Sequence, residues 1–198
     1  MAELAQQQVD GRRLRRESNR EAVIDALLAL FVEGNYEPSA AEVAGRAGLS
    51  PRSLFRYFND MDNLHRAAAQ RQLEVTGPLF EVNLDPAAPT AAKIEALLAV
   101  RTRLYELVGH SARAMRASAQ RNQLLTAELT RRRVFLSDQI AEIFAPELAQ
   151  AEDSARTAID ILCSFDSYDL LRNYHGLSQA QAITILTAAV AALLGPTT

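Results

Sequence analysis

Arg52 and Arg56 stand four residues apart, one helical turn, in the stretch S-P-R-S-L-F-R-Y-F that begins at Ser50. A guanidinium is a planar donor that pairs bidentately with a guanine edge in the DNA major groove, worth about 1–3 kcal/mol of discrimination. Two guanidiniums on one helical face, with Ser53 and Tyr57 beside them, suit base edges and phosphates together. Ser39, Ser50 and Tyr57 carry hydroxyls fit for phosphate oxygens, and helix starts such as the one at Pro51 offer backbone N–H groups to the same anions. Upstream, Arg12, Arg13, Arg15, Arg16 and Arg20 face a single acid, Glu17, within residues 11–20. The plain alternative for any one of these arginines is a solvated surface charge.

Such side chains read DNA only when short helices hold them. Ser39 and Glu42 form a capping box, S-x-x-E, that opens a short helix carrying Val43, Ala44 and Ala47. Gly48 sits where a tight turn needs positive φ. Ser50 caps the next helix, with Pro51 at its first position, where the missing N–H is harmless. Ala44 is small enough for close approach, and Val43, Ala47, Leu49 and Leu54 point inward. The pattern is a helix-turn-helix; a helical hairpin in an ordinary bundle is its bland counterpart. A preceding helix is expected from a box at Ser18 and Glu21, through Val23, Ile24, Leu27, Leu28 and Phe31 to Gly34. Asp60 is expected to cap a fourth.

The rest of the chain also reads as helix. Alanine and leucine dominate, glycine and proline number 8 and 7, and 48% of the residues are hydrophobic. Pro78, Pro86 and Pro89 mark an irregular link. Beyond it the periodicity predicts helices from Thr90 to about Val108, from Ser111 to about Ala119, from Asn122 to before Pro146, from Ser154 to Gly176, and from a third box at Ser178 and Gln181 to Gly195. The expected fold is all-α with about nine helices: a basic flexible arm at 1–17, a three-helix DNA-binding domain at 18–60, and a helical domain at 61–198.

Composition excludes several classes. The net charge is −3, so any nucleic-acid binding rests on a local surface. The single cysteine, Cys163, allows no internal disulfide and reads as a small buried hydrophobe. His65, His110 and His175 show no metal spacing, and no phosphate loop or nucleophile elbow occurs, so neither enzyme, metal nor cofactor is expected. No signal peptide or membrane span is apparent, and a soluble cytoplasmic protein is expected. Polar residues interrupt apolar stripes at Arg101, Arg132 and Asp166. Two readings stay open: internal ion pairs such as Arg101 with Asp166, or the polar corner of a small-molecule pocket with Tyr105, Met115 and Phe144 as apolar lining. The helices at 154–175 and 178–194 are the dimer candidates, through Ile159, Leu162, Leu170, Ile183, Leu186, Val190 and Leu194; closure of the monomer's own core is the alternative.

Residues 18–66 resemble the DNA-binding domain of the TetR (tetracycline repressor-like) family. The resemblance lies in the G-N-Y after the first helix, the A-G-L-S turn and the L-F-R-Y-F helix. It implies a homodimeric regulator, a repressor rather than an activator, that binds a near-palindromic double-stranded operator and releases it when a small molecule binds the C-terminal domain. Two positions depart from the family pattern. Met61 stands where a phosphate-reaching lysine is frequent, and Phe55 where tyrosine is frequent. The arginine arm is the expected compensation. The rival readings are a helix-turn-helix-shaped interaction module without sequence preference, and a DNA-binding dimer with no small-molecule ligand.

Overall fold

In a computed structural model the chain is described over residues 2–82, 84–85 and 87–195, with side chains from residue 13 onward. Arg12's side chain and Pro86 therefore lie outside the described residues. Ten α-helices and no strand occur among them. They divide into two compact units, Met1–Val75 with His110–Glu128, and Thr76–Gly109 with Leu129–Thr198. Residues 110–128 thus group with the N-terminal helices, unlike a single cut near residue 60.

The first unit holds α1 (Ala2–Val32), α2 (Ala40–Arg46), α3 (Pro51–Tyr57) and most of α4 (Met61–Thr76). Val23, Leu27 and Phe31 of α1 recur every fourth residue and close on Val43, Ala44, Leu54, Phe58, Leu64 and Ala68. Each large apolar side chain buried this way contributes about 1.5–3 kcal/mol. The helix start expected at Ser18 is not there: α1 is continuous from Ala2, and Ser18 lies inside it. The Ala, Gln, Glu, Leu and Arg of the arm are good helix formers, and helix needs no apolar stripe to propagate. Arg13 and Glu17 pair at 3.1 Å on its exposed face.

Gly109 does not break α5 (Thr90–Ala119), so the two helices expected there are one. A glycine inside a helix costs about 1 kcal/mol relative to alanine, which a helix of this length tolerates. Asn122 starts α6 (Gln123–Ile143) by accepting from Leu125 N at 3.0 Å, and its amide donates to the Asp62 carbonyl at 3.3 Å. Met115 packs with Ala69 and Leu125 in this unit.

The second unit continues α5 and α6 and adds α7 (Ala145–Leu148), α8 (Ala155–Leu162), α9 (Phe165–Asp169) and α10 (Gln179–Leu194). The helix expected from Ser154 to Gly176 is broken. The Cys163 carbonyl accepts from Arg101 Nη1 (3.2 Å) and Tyr105 Oη (2.8 Å), and Ser164, in extended conformation, caps α9 by accepting from Ser167 N at 3.2 Å. A π-helical turn, Leu170–Tyr174, follows. The box at Ser178 and Gln181 opens α10 as expected. Lys93, 3% exposed, bonds both Glu147 carboxylate oxygens at 2.9 and 3.1 Å, and Thr90 Oγ1 donates to the same carboxylate at 3.0 Å.

Four residues expected on a dimer face are buried within this unit's own core instead: Ile159, Leu186, Val190 and Leu194. These side chains of α8 and α10 serve the unit's own core, the alternative that the sequence left open. Leu162 and Ile183 are half-buried, and Leu170 is exposed, as are Ile161, Tyr174 and Ile185.

Two outcomes follow. Asn122→Ala removes a cap and the tie to Asp62, and urea unfolding should show a loss of about 1–2 kcal/mol. Burial alone would raise the Glu147 pKa, but its bonds to Lys93, its own backbone N–H and Thr90 outweigh that and hold it below the ordinary carboxylate value. A depressed folded pKa adds stability above the unfolded pKa and loses it as pH falls through the folded one. The stability gap between the wild type and Glu147→Gln should therefore be full at neutral pH and close below about pH 4. A gap that does not vary with pH would contradict this.

Candidate functional site

Seven-residue helices such as α2 and α3 are too short to stand alone in water. Their ends are pinned by side chains. The Ser39 hydroxyl accepts from Glu42 N at 3.3 Å, and Glu42 Oε2 accepts from Ser39 N at 2.8 Å and from Ser39 Oγ at 2.6 Å. The Ser39 hydroxyl and backbone bonds, with Asn35, hold the Glu42 carboxyl below its usual pKa despite some desolvation. Gly48 turns the chain at φ +69°, a conformation cheap only for glycine. Ser50 Oγ accepts from Ser53 N at 3.2 Å, and Pro51 opens α3. Arg46 clamps Glu33 through two bonds of 2.7 and 2.6 Å, fastening α2 to the end of α1. Asp60 Oδ1 accepts from Asn63 N at 2.7 Å and starts α4.

Leu54 points into the core, which turns Arg52, Phe55 and Arg56 outward. Neither arginine has an ion pair among the described residues. Ser53 and Tyr57 are half-buried at the edges of the same helix. The hydroxyls of Ser39 and Ser50 lie exposed but already serve as caps, so a phosphate there must share them. Met61 is half-buried against the core. Phe55 is 45% exposed.

The arm and the third helix meet. Arg15, Arg16 and Asn19 of α1 and Arg56 and Tyr57 of α3 line one cleft of about 570 Å³. Asn19 Nδ2 donates to the Tyr57 hydroxyl at 3.0 Å. Arg13 faces Glu17 instead. Sequence reasoning missed Asn19. Its one signal was an asparagine, a poor helix former, three and four residues after Arg16 and Arg15, hence on their face.

The six residues expected around a ligand are not gathered. Met115 belongs to the first unit, Asp166 is exposed, and Arg132 is half-buried. Arg101, Tyr105 and Phe144 are buried in the second unit. Arg101 is 1% exposed and does not pair with Asp166. Its Nη2 donates to the Leu136 carbonyl (2.6 Å) and to Gln139 Oε1 (3.4 Å), its Nη1 to the Cys163 carbonyl, and its Nε–H has no acceptor. Gln139 in turn donates to the Phe80 carbonyl at 2.7 Å. Among the described residues the cation is thus held by dipoles, without a carboxylate. Burial pushes the neighbouring Cys163 thiol up to about 11, against a smaller downward pull from Arg101. Among the described residues no helix is long and apolar enough to cross a membrane.

Two short capped helices joined by a tight turn, the second presenting two arginines without an ion pair among the described residues, have the form of a helix-turn-helix. Residues 23–68 match the family of bacterial regulatory proteins of the tetR type. The whole fold resembles a transcriptional regulator from Rhodococcus sp. RHA1 (TM-score 0.68, 16% identity, 88% of this chain and 95% of that one). It also resembles a tetR-family regulator from Streptomyces coelicolor (TM-score 0.68, 22% identity, 89% and 80%) and the multidrug binding protein EbrR in complex with imidazole (TM-score 0.60, 18% identity, 91% and 93%). No curated protein matches the sequence significantly. Residues 23–68 thus match the TetR-type family model, and the chain as a whole has a fold that TetR-family regulators share.

Arg101 yields a prediction of opposite signs. A buried cation without a counter-charge is held at a cost, and an apolar residue of similar length removes that cost. Arg101→Met should keep or raise stability in urea unfolding. Arg101→Ala should lose about 2–4 kcal/mol through the cavity it leaves.

Proposed function

We propose that the chain is a cytoplasmic, non-enzymatic repressor that binds a near-palindromic DNA operator as a homodimer. The carrying observation is α3: a capped helix whose outward face holds Arg52 and Arg56 without an ion pair among the described residues. In this reading α3 enters the major groove. Arg52 and Arg56 read bases, while Ser39, Ser50, Pro51, Ser53 and Tyr57 address the backbone. The arm arginines Arg12, Arg13, Arg15 and Arg16 add phosphate contacts where Met61 and Phe55 make none.

The partner copy is proposed to pack on the second unit. The surface for it is the apolar set left exposed there, Ile161, Leu170, Tyr174 and Ile185, with half-buried Leu162 and Ile183 beside it. A self-complementary patch of this kind suits two-fold symmetry. A small-molecule effector is proposed for the same unit, supported by EbrR, a fold relative that binds imidazole; Arg101 and Tyr105 are its candidate polar contacts. One observation favours a second reading, a DNA-binding dimer without effector: Arg101 already spends its Nη donors on internal carbonyls.

Selection of bound duplexes from a random pool, with and without metabolites, tests these readings. A near-palindromic consensus is expected. A pool recovered without sequence preference would instead mark an interaction module. On the selected duplex, Arg52→Ala or Arg56→Ala should cost about 1–3 kcal/mol and relax one base position each. An effector site at Arg101 predicts that Arg101→Met binds DNA normally and no longer responds to the metabolite; an unchanged response removes Arg101 from the site.

A further inference from the structure

We propose that Asn19 is a positioning residue for Tyr57, and that the cleft between α1 and α3 takes one phosphodiester of the DNA backbone. This rests on the DNA-binding reading above and adds a site to it. The lining is Arg15, Arg16, Asn19, Arg56 and Tyr57, with no carboxylate among them. Two like charges on the lining, those of Arg16 and Arg56, repel each other, and an anion held there offsets that repulsion. Arg16 and Arg56 have no ion pair among the described residues, and Glu17, the nearest acid in sequence, is turned to Arg13.

The neutral pair supplies direction. A phenolic hydroxyl has one proton to give and lone pairs to receive with. Asn19 donates to the Tyr57 oxygen at 3.0 Å, so that oxygen is the acceptor in the bond and its own proton stays available. The half-buried ring restrains the oxygen on one side, and the Asn19 amide sets where the remaining proton can point. A phosphodiester oxygen, which accepts and never donates, is the complement of such a group. The cleft also shares Arg56 and Tyr57 with α3, so an anion there lies against the reading helix. That continuity commits the site to the DNA backbone over free inorganic phosphate.

The test is a double-mutant cycle on the full chain, binding a mixed-sequence duplex of roughly 30 base pairs at low salt, since phosphate contacts are independent of sequence. Tyr57→Phe, which removes one oxygen, should weaken binding about tenfold, the size of a charge-assisted hydrogen bond. Asn19→Ala should weaken it by about threefold, as expected for a bond that only orients its neighbour. The double variant should bind no worse than Tyr57→Phe alone, because without the hydroxyl nothing remains to position. Alanine is the better helix former, so Asn19→Ala keeps α1, which circular dichroism checks. Arg16→Ala should lower the slope of log K against log salt by about 0.9 for each bound protomer, one phosphate contact apiece and about 1.8 for a dimer. Multiplied effects in the double variant, or Asn19→Ala binding like wild type, overturn the role of Asn19 and leave the DNA-binding reading intact. A slope unchanged by Arg16→Ala overturns the phosphate site. Competition by inorganic phosphate at matched ionic strength, lost in Arg16→Ala while duplex affinity is unmoved, assigns the cleft to the free ion and overturns the proposal. A wild-type chain that binds no duplex fails both readings at once.

Discussion

The candidate reading surface depends on a packing constraint: two seven-residue helices have to be held at a fixed crossing. Neither α2 nor α3 has the length to pay its own nucleation cost. Val43, Ala44 and Leu54, all fully buried against Leu27 and Phe31 of α1, supply the missing stability. The turn between the helices is short enough to need positive φ at Gly48. Once Leu54 is buried, the helical period leaves no choice about Arg52, Phe55 and Arg56; they face outward because the core faces in. The exposure of the two arginines is thus a consequence of packing.

Electrostatics then separates these arginines from others. Arg46 is clamped to Glu33, Arg172 to Glu106, Arg156 to Asp138 and Arg121 to Glu37. Arg52, Arg56 and Arg16 have no such acid among the described residues. In a chain with net charge −3, acids are plentiful, so unpaired cations on one side of the first unit reflect where the acids are placed. A positive local field can therefore sit on a negative molecule.

What could be read from the sequence was what local chemistry decides. Caps at Ser39, Ser50, Asp60 and Ser178 are satisfied within three residues of chain, and each stands where its spacing predicts. The box at Ser18 and Glu21 failed for a local reason, since the helix formers of the arm carry α1 through it; the other features that escaped are decided by distant partners. The break at Cys163 needs Arg101 and Tyr105 from another helix to take its carbonyl. The burial of Leu186 and Val190 depends on what α10 packs against, which a stripe alone cannot say. Arg101 was legible as an anomaly in an apolar stripe, but its partners are backbone carbonyls, which no sequence pattern displays. Asn19 escaped because its partner lies 38 residues away.

The grouping of residues 110–128 with the first unit has its own physical basis. Ala114 joins the core of α1 to α4, and Met115 and Leu125 pack on Ala69. Polar ties reinforce this. Tyr36 Oη and His110 Nδ1 lie 3.1 Å apart, Arg121 pairs with Glu37, and the Asn122 amide reaches the Asp62 carbonyl. These three contacts end on the segment after α1 and on the first turn of α4, which flank the two short helices on either side in sequence. The end of α5 and the start of α6 therefore brace the chain entering α2 and the chain leaving α3. A backbone shift within 110–128 has to be transmitted to those flanks or break a buried bond at Asn122, and a buried amide left without its partner is expensive. The bracing makes this segment part of the first unit in mechanical terms, although it lies some fifty residues beyond the motif that the sequence displays.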